Sequence, residues 1–173
     1  MSNAIQKTDQ AQTIQQIEQH ADNNTALALQ ALVSGGDLSQ LSPVQLAGYY
    51  KNLCDSLGLN WLTLPFAVIS ANGKKIMYAK KECTDQIRKR DKVNLGISSR
   101  TFDNNGGVYT VVVKASTPDG REDESTGVVP TAGLKGEALA NALMKAETKA
   151  KRRATLSIVG LGWMDESETE SVP

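Results

Sequence analysis

Cations recur at helical spacing towards the C-terminal end of the sequence. In KAETKAKRR, residues 145–153, Lys145, Lys149 and Arg152 stand at positions i, i+4 and i+7, with Arg153 next to them. A helix turns by about 100° per residue, so we expect these side chains to form one stripe. Cations held in a row bind phosphates with release of counterions, and this chemistry breaks no covalent bond. The stripe therefore indicates binding of a polyanion rather than catalysis.

A second basic segment, residues 74–92, surrounds a tyrosine. It holds eight cations against three anions, a net charge of +5, although the whole chain has a net charge of zero. Within KKIMYAKK, Tyr78 lies among lysines, and a ring among cations is typical of grooves that bind single-stranded nucleic acids. Acidic residues concentrate elsewhere, at 119–124 and 165–170. This separation of charge predicts an electrostatic binding surface. Its candidate residues are Lys74, Lys75, Tyr78, Lys80, Lys81, Arg88, Lys89, Arg90, Lys92, Lys145, Lys149, Lys151, Arg152 and Arg153.

Two simpler interpretations of these residues stay open. Lys and Arg are common on solvated helix faces and stabilise helix C-termini. Tyr78 also suits packing within a core or across strands.

The composition excludes several other classes of protein. The 173 residues suit one main domain. No apolar stretch approaches the ~20 residues of a membrane span, and the polar N-terminus lacks the apolar segment of a secretory signal. Cys54 and Cys83 have no CxxC spacing, and His20 is the one histidine. We therefore expect a cytoplasmic protein with reduced thiols, no metal and no other cofactor.

Turn and helix signals predict an α+β fold. Ser42 followed by Pro43 begins a helix, Asn72-Gly73 closes a hairpin, and KKECTDQIRKRDKVN, residues 80–94, forms a short helix. A second hairpin and a further strand precede a long helix that starts near residue 136 and ends near residue 159. We expect a small antiparallel sheet of hairpins packed against this long C-terminal helix. The domain spans residues 36–163, between a flexible N-terminal arm at 1–35 and an acidic disordered tail at 164–173.

An apolar stripe of the long helix adjoins the cationic stripe. We expect its alanines to let the helix lie close to the sheet. The arginine pair should adjoin this stripe without belonging to it, so that replacing Arg152 and Arg153 together with Ala leaves the fold intact. The apolar stripe consists of Leu139, Leu143, Ala146, Ala150 and Ala154.

The segment STGVVPTAGLKGEALANALMKAETKAKRRATLSIVGLG, with the hairpin and short basic helix before it, resembles a known annealing domain. This domain occurs in phage single-strand annealing proteins of the Erf and Sak kind and in the eukaryotic recombination protein Rad fifty-two. The resemblance covers roughly residues 38–165 and implies a small curved β-sheet followed by a long helix with Lys/Arg pairs and a Gly-rich end. The matching residues are Ala146, Thr148, Ala150, Lys151, Arg152, Arg153, Gly160 and Gly162.

The resemblance implies ATP-independent annealing of complementary DNA strands in phage homologous recombination, in the host bacterial cytoplasm. A ring or filament of identical chains would hold single-stranded DNA, and then the annealed duplex intermediate, in a basic groove between sheet and helix. By the same resemblance, Lys151, Arg152 and Arg153 match the DNA-contacting cations, with Tyr78 and Arg88 across the groove. A single-strand-binding protein or a nuclease is a further class of partner, and no membrane is implied.

Other functions stay open. The chain suits a single-stranded DNA- or RNA-binding protein that does not anneal, or a phage scaffolding oligomer that ignores DNA. A Mg²⁺-dependent nuclease could use the acids at 119–124, but PDGRED suits a solvated turn. TAGLKGE lacks the GxxxxGK[ST] spacing of a phosphate-binding loop. We therefore expect no enzymatic activity.

Overall fold

The computed structural model describes residues 26, 36–71, 73–103 and 107–162. The predicted N-terminal arm, apart from residue 26, and the predicted acidic tail lie outside these residues. The chain divides into two compact units. The first comprises Met1–Trp61 and Val68–Met77, and the second comprises Leu62–Ala67 and Tyr78–Pro173.

The first unit contains a capped helix. A short 3-10 helix, Leu38–Gln40, precedes helix α1, Pro43–Ser56. The Ser42 hydroxyl accepts a hydrogen bond from the Gln45 backbone N–H, and the Gln45 side chain accepts one from the Ser42 N–H. This capping box satisfies two N–H groups that the first helical turn leaves without partners. The predicted Ser-Pro helix start is confirmed.

The predicted first hairpin is confirmed. Strand β1, Phe66–Ala71, pairs with strand β2, Lys74–Ala79, in a two-stranded sheet. Gly73 has a φ of 74°, which the turn requires and a glycine adopts without strain. Asn72 lies outside the described residues.

In the second unit, the three strands of an antiparallel sheet follow one helix along the chain and precede another. Helix α2, Lys81–Asp91, is followed by strands β3, Asn94–Asp103, β4, Val108–Ser116, and β5, Glu122–Pro130, and by helix α3, Gly136–Ile158. The strand order is β3-β4-β5. The α+β class and the long C-terminal helix are confirmed, but the strands form two small sheets rather than one.

The core of the second unit lies between one face of this sheet and α3. Val111, Val113 and Ala115 alternate along β4 and are buried, as a strand with one covered face requires. Ala146, Ala150 and Ala154 of α3 pack against them and are fully buried. The N-terminal part of the predicted apolar stripe, residues 139 and 143, is only half-buried.

At Gly127 in β5, the backbone of α3 comes very close to the sheet. A Cβ atom built on this glycine would lie 2.6 Å from the backbone nitrogen of Ala150 and 3.1 Å from its Cα atom. Carbon atoms in contact normally lie about 3.5–4.0 Å apart, so the site has no room for a side chain. The expectation that alanines let the helix lie close to the sheet is confirmed.

None of the helices in the described ranges has the length and apolar content that a membrane crossing requires.

We predict that Gly127→Ala lowers the free energy of unfolding by about 1–3 kcal/mol, because the added methyl group must push the helix backbone away. Urea denaturation followed by circular dichroism measures this change. Gly96→Ala is the matched control, since Gly96 lies in β3 of the same sheet and a Cβ atom there meets nothing within 4 Å. Equal stability of the two variants would contradict the close packing of α3 on β5.

Candidate nucleic-acid interface

Two helices of the second unit form a cationic groove. Lys80 is extended at the N-cap of α2, and Lys81 opens that helix. Residues 145, 148, 149 and 152 of α3 share one helix face, because they are spaced by three and four positions. We name this surface the lysine groove. It encloses about 360 Å³ and is lined by Tyr78, Lys80, Lys81, Glu82, Lys145, Thr148, Lys149 and Arg152.

The lysine groove carries an excess of positive charge. Its lining contains five cations and a single carboxylate, that of Glu82, which gives a net charge of +4. The Nζ atom of Lys80 lies 3.3 Å from Oε2 of Glu82. A concave surface lined mainly by cations attracts polyanions and concentrates their phosphates.

A second cavity, which we name the carboxylate pocket, lies beside the groove and holds two carboxylates against four cations, a net charge of +2. It is lined by Lys81, Thr84, Asp85, Arg88, Met144, Glu147, Thr148, Lys151 and Arg152. Thr148, Lys81 and Arg152 line both cavities. The two carboxylates of the pocket distinguish it from the lysine groove.

Each carboxylate of this pocket joins two cations. Asp85 pairs with Arg88 and with Lys81, whose Nζ atom lies 2.6 Å from Oδ2. Glu147 pairs with Lys151 at 2.6 Å and with Arg100 of β3 at 3.2 Å. Three of the four cations that line the pocket, Lys81, Arg88 and Lys151, are therefore engaged in ion pairs within the protein.

The ion pairs change the acidity of both carboxyl groups. For Glu147, the hydrogen bond from Lys151 lowers the pKa, burial opposes it, and Arg100 lowers it further. For Asp85, burial raises the pKa, but the combined hydrogen bonds and charges of Lys81 and Arg88 outweigh it and the net shift is downward. Both groups are ionised in the folded protein at neutral pH.

Arg152 stacks on Tyr78. Its guanidinium carbon lies 4.6 Å from the centre of the tyrosine ring, within the range of a cation–π interaction. Arg152 is 6% exposed and Tyr78 is 8% exposed. The prediction that Tyr78 offers a ring for base stacking is wrong, because Arg152 covers it. The expectation that the arginine pair lies outside the buried surface is wrong for Arg152.

The three successive cations of α3 point to different surroundings. Lys151 binds Glu147, Arg152 covers Tyr78, and the Nη1 atom of Arg153 donates a hydrogen bond to the carbonyl oxygen of Thr126 in β5 at 3.1 Å. Adjacent residues on a helix differ by about 100° in direction, which separates them. Arg153 was predicted to lie beside the cationic stripe, but it is not among the residues that line the lysine groove.

The other predicted site residues of α2 and the hairpin are not among the residues that line the lysine groove. Arg88 donates to Thr155 at 3.2 Å and lines the carboxylate pocket. Arg90 pairs with Asp91, Lys89 is exposed, and Lys92 caps the C-terminus of α2 with a left-handed backbone. Lys74 and Lys75 belong to the first unit, at the exposed start of β2.

Two residues of the site were missed by the sequence prediction. Arg100 joins the ion-pair network from β3, a contact across 47 residues that no local spacing reveals. Thr148 lines both cavities and its hydroxyl donates to the Met144 carbonyl at 3.0 Å. Its position three residues after Lys145 could have indicated it.

Comparison with known proteins adds no assignment. A scan against protein-family models finds no match, and a search of the curated proteins finds none either.

We predict that Arg152→Ala lowers the free energy of unfolding by about 2–3 kcal/mol, through loss of the cation–π contact and of the packing of the buried stem. Arg153→Ala, the neighbouring control, should lower it by less than about 1 kcal/mol, the typical size of one hydrogen bond. Urea unfolding of the two single variants measures the difference. Wild-type stability of Arg152→Ala would contradict a structural role for the stack.

We predict that Glu147→Gln makes the stability of the folded protein less dependent on pH in the acidic range. A carboxylate with a lowered pKa stabilises the folded state above its unfolded pKa of about 4.3 and loses this contribution as pH falls through the lower folded pKa. The variant should be less stable than wild type near pH 6 by about 0.5–1 kcal/mol, since these pairs are partly exposed, and the difference should narrow towards pH 3. Thermal unfolding at both pH values tests this. Glu122→Gln, at the exposed start of β5, controls for the loss of one negative charge.

Proposed function

We propose that this protein binds single-stranded DNA and anneals complementary strands without ATP. The observation that supports this most directly is the lysine groove. Its lining combines Lys80 and Lys81, at the start of α2, with Lys145, Lys149 and Arg152 of α3. Cations from two elements on one concave surface suit the continuous charge of a polynucleotide backbone.

The composition of the groove favours backbone binding over base reading. Its lining holds lysines, one arginine, a threonine and one carboxylate around the covered Tyr78. Lysine is a compact point charge with rotatable donors, which suits phosphates in many orientations. A strand held through phosphates keeps its base edges available for pairing, as annealing requires.

The proposal includes assembly and biological context. Several copies, in a ring or filament, would join their grooves into one track for a strand longer than a single groove can hold. The resemblance to the annealing domain of the Erf, Sak and Rad fifty-two proteins supports this assembly and a role in phage recombination. That resemblance rests on the same helix, α3, that supplies three cations of the groove.

Strand annealing by the purified protein tests the proposal. Two complementary oligonucleotides, labelled as a fluorescence donor and acceptor, are mixed with the full chain in EDTA and without ATP. We expect faster duplex formation than without protein, together with a complex larger than one chain by light scattering. Binding without acceleration would indicate a non-annealing single-strand binder, and no binding would favour a scaffolding oligomer.

We predict that Lys145→Gln with Lys149→Gln weakens binding and lowers its salt dependence. For single strands, the slope of log K against log salt becomes shallower by about 0.7 for every phosphate that the protein no longer neutralises. Fluorescence anisotropy of a labelled oligonucleotide over a range of salt concentrations gives this slope.

The matched control for this variant is Lys114→Gln with Lys135→Gln. It removes the same charge from exposed positions of β4 and of the α3 N-cap, away from the groove lining. Equal losses of affinity in the two double variants would show a general effect of net charge and would contradict the groove.

A further inference from the structure

A single-strand groove needs an apolar support for bases as well as cations for phosphates. In the lysine groove, the ring of Tyr78 is covered by Arg152 and is 8% exposed. The support must therefore come from apolar side chains that are exposed beside the groove. This inference rests on the proposed binding of a single strand.

The loop before β1 presents two such side chains in the second unit. Leu62 is 69% exposed and Leu64 is 60% exposed. Leu64 has a φ of 51°, in the left-handed region that a residue with a Cβ atom adopts only with strain. Such strain is retained where the surroundings determine the loop, and it is frequent at ligand-binding segments.

Hydrogen bonds hold this loop against α2 and against Lys80, its N-cap residue. The Nζ atom of Lys80 donates to the carbonyl oxygen of Leu64 at 3.0 Å, and the Lys80 backbone N–H donates to the Pro65 carbonyl at 3.0 Å. The Gln86 side chain of α2 donates to the Thr63 hydroxyl at 2.8 Å. Lys80 itself lines the lysine groove. Leu64 is thus joined to the cationic surface through Lys80, and Leu62 lies two residues before it in the chain.

Another exposed apolar side chain of the second unit suits this role less well. Met144 is 61% exposed, but it lines the carboxylate pocket beside Asp85 and Glu147. These carboxylates hold Lys81, Arg88 and Lys151 in ion pairs, which leaves fewer cations of the pocket for a phosphate backbone.

We propose that Leu62 and Leu64 form an apolar ledge on which the bases of the bound strand rest while its phosphates lie along Lys80 and the lysine groove. The ledge gives affinity from buried base and leucine surface without reading base identity, because every base has an apolar face. The two leucines are therefore positioning residues for the strand, separate from the cations that hold its backbone.

A comparison of base-containing and abasic strands tests this ledge. Wild-type protein and the variant Leu62→Gln with Leu64→Asn are titrated with labelled oligothymidylate and with an abasic oligomer of the same length. Asparagine at 64 tolerates the left-handed backbone. Val44→Gln with Val128→Thr is the control, since it removes exposed apolar surface elsewhere. Circular dichroism monitors folding, and Leu62→Ala provides a milder variant.

We expect wild type to bind the thymidylate roughly ten-fold more tightly than the abasic strand, from the apolar surface buried by bases on the ledge. The ledge variant should lose most of this preference and keep the wild-type salt slope, and Leu62→Ala should lose part of it. The control variant should keep the preference.

Three results would overturn the ledge. Wild type with equal affinity for both strands shows that bases gain nothing from the protein. A folded ledge variant with the full preference shows that the leucines do not support bases. A ledge variant that changes the size of the assembly but keeps the preference for thymidylate over the abasic strand shows that the loop joins copies of the chain. Failure of the proposed function is distinct, because wild type would then bind neither strand.

Discussion

The contact between Gly127 of β5 and the α3 backbone is the constraint on which the groove depends. A strand without a side chain at this point allows the backbone of Ala146 and Ala150 to meet the sheet directly. The separation and rotation of α3 are then determined by backbone atoms, which cannot change rotamer. Because Lys145 and Lys149 are neighbours of these alanines in sequence, their direction relative to the sheet follows from the same contact.

Local signals in the sequence were sufficient for most elements of the fold. The Ser42-Pro43 start, the Gly73 turn and the length of α3 depend on contacts within a few residues, and each is confirmed. The division of strands into two sheets depends on pairing between distant segments, which periodicity does not specify. The strand β5 also begins at Glu122, inside a segment whose composition is typical of a turn.

The candidate site was harder to predict because charge counting ignores neighbours. Lys81 and Lys151 each have a carboxylate four residues away on the same helix, a spacing that indicates an ion pair and could have been recognised. The burial of Arg152 and the hydrogen bond from Arg153 to Thr126 could not have been recognised, because both involve groups far away in sequence. Helical spacing placed Arg152 on the correct face, but its depth depends on a ring in another element.

A buried arginine beside an exposed groove has a specific electrostatic consequence. Burial of a charge is unfavourable unless polar or aromatic groups compensate, and the Tyr78 ring supplies part of this compensation for Arg152. Once held there, the guanidinium has little freedom to follow a ligand. A bound strand would therefore meet one stationary charge at the junction of the two cavities, beside the lysines of the groove, where Glu82 supplies the one carboxylate of the lining. The stationary charge loses no side-chain entropy on binding, so its contribution to affinity is not reduced by ordering.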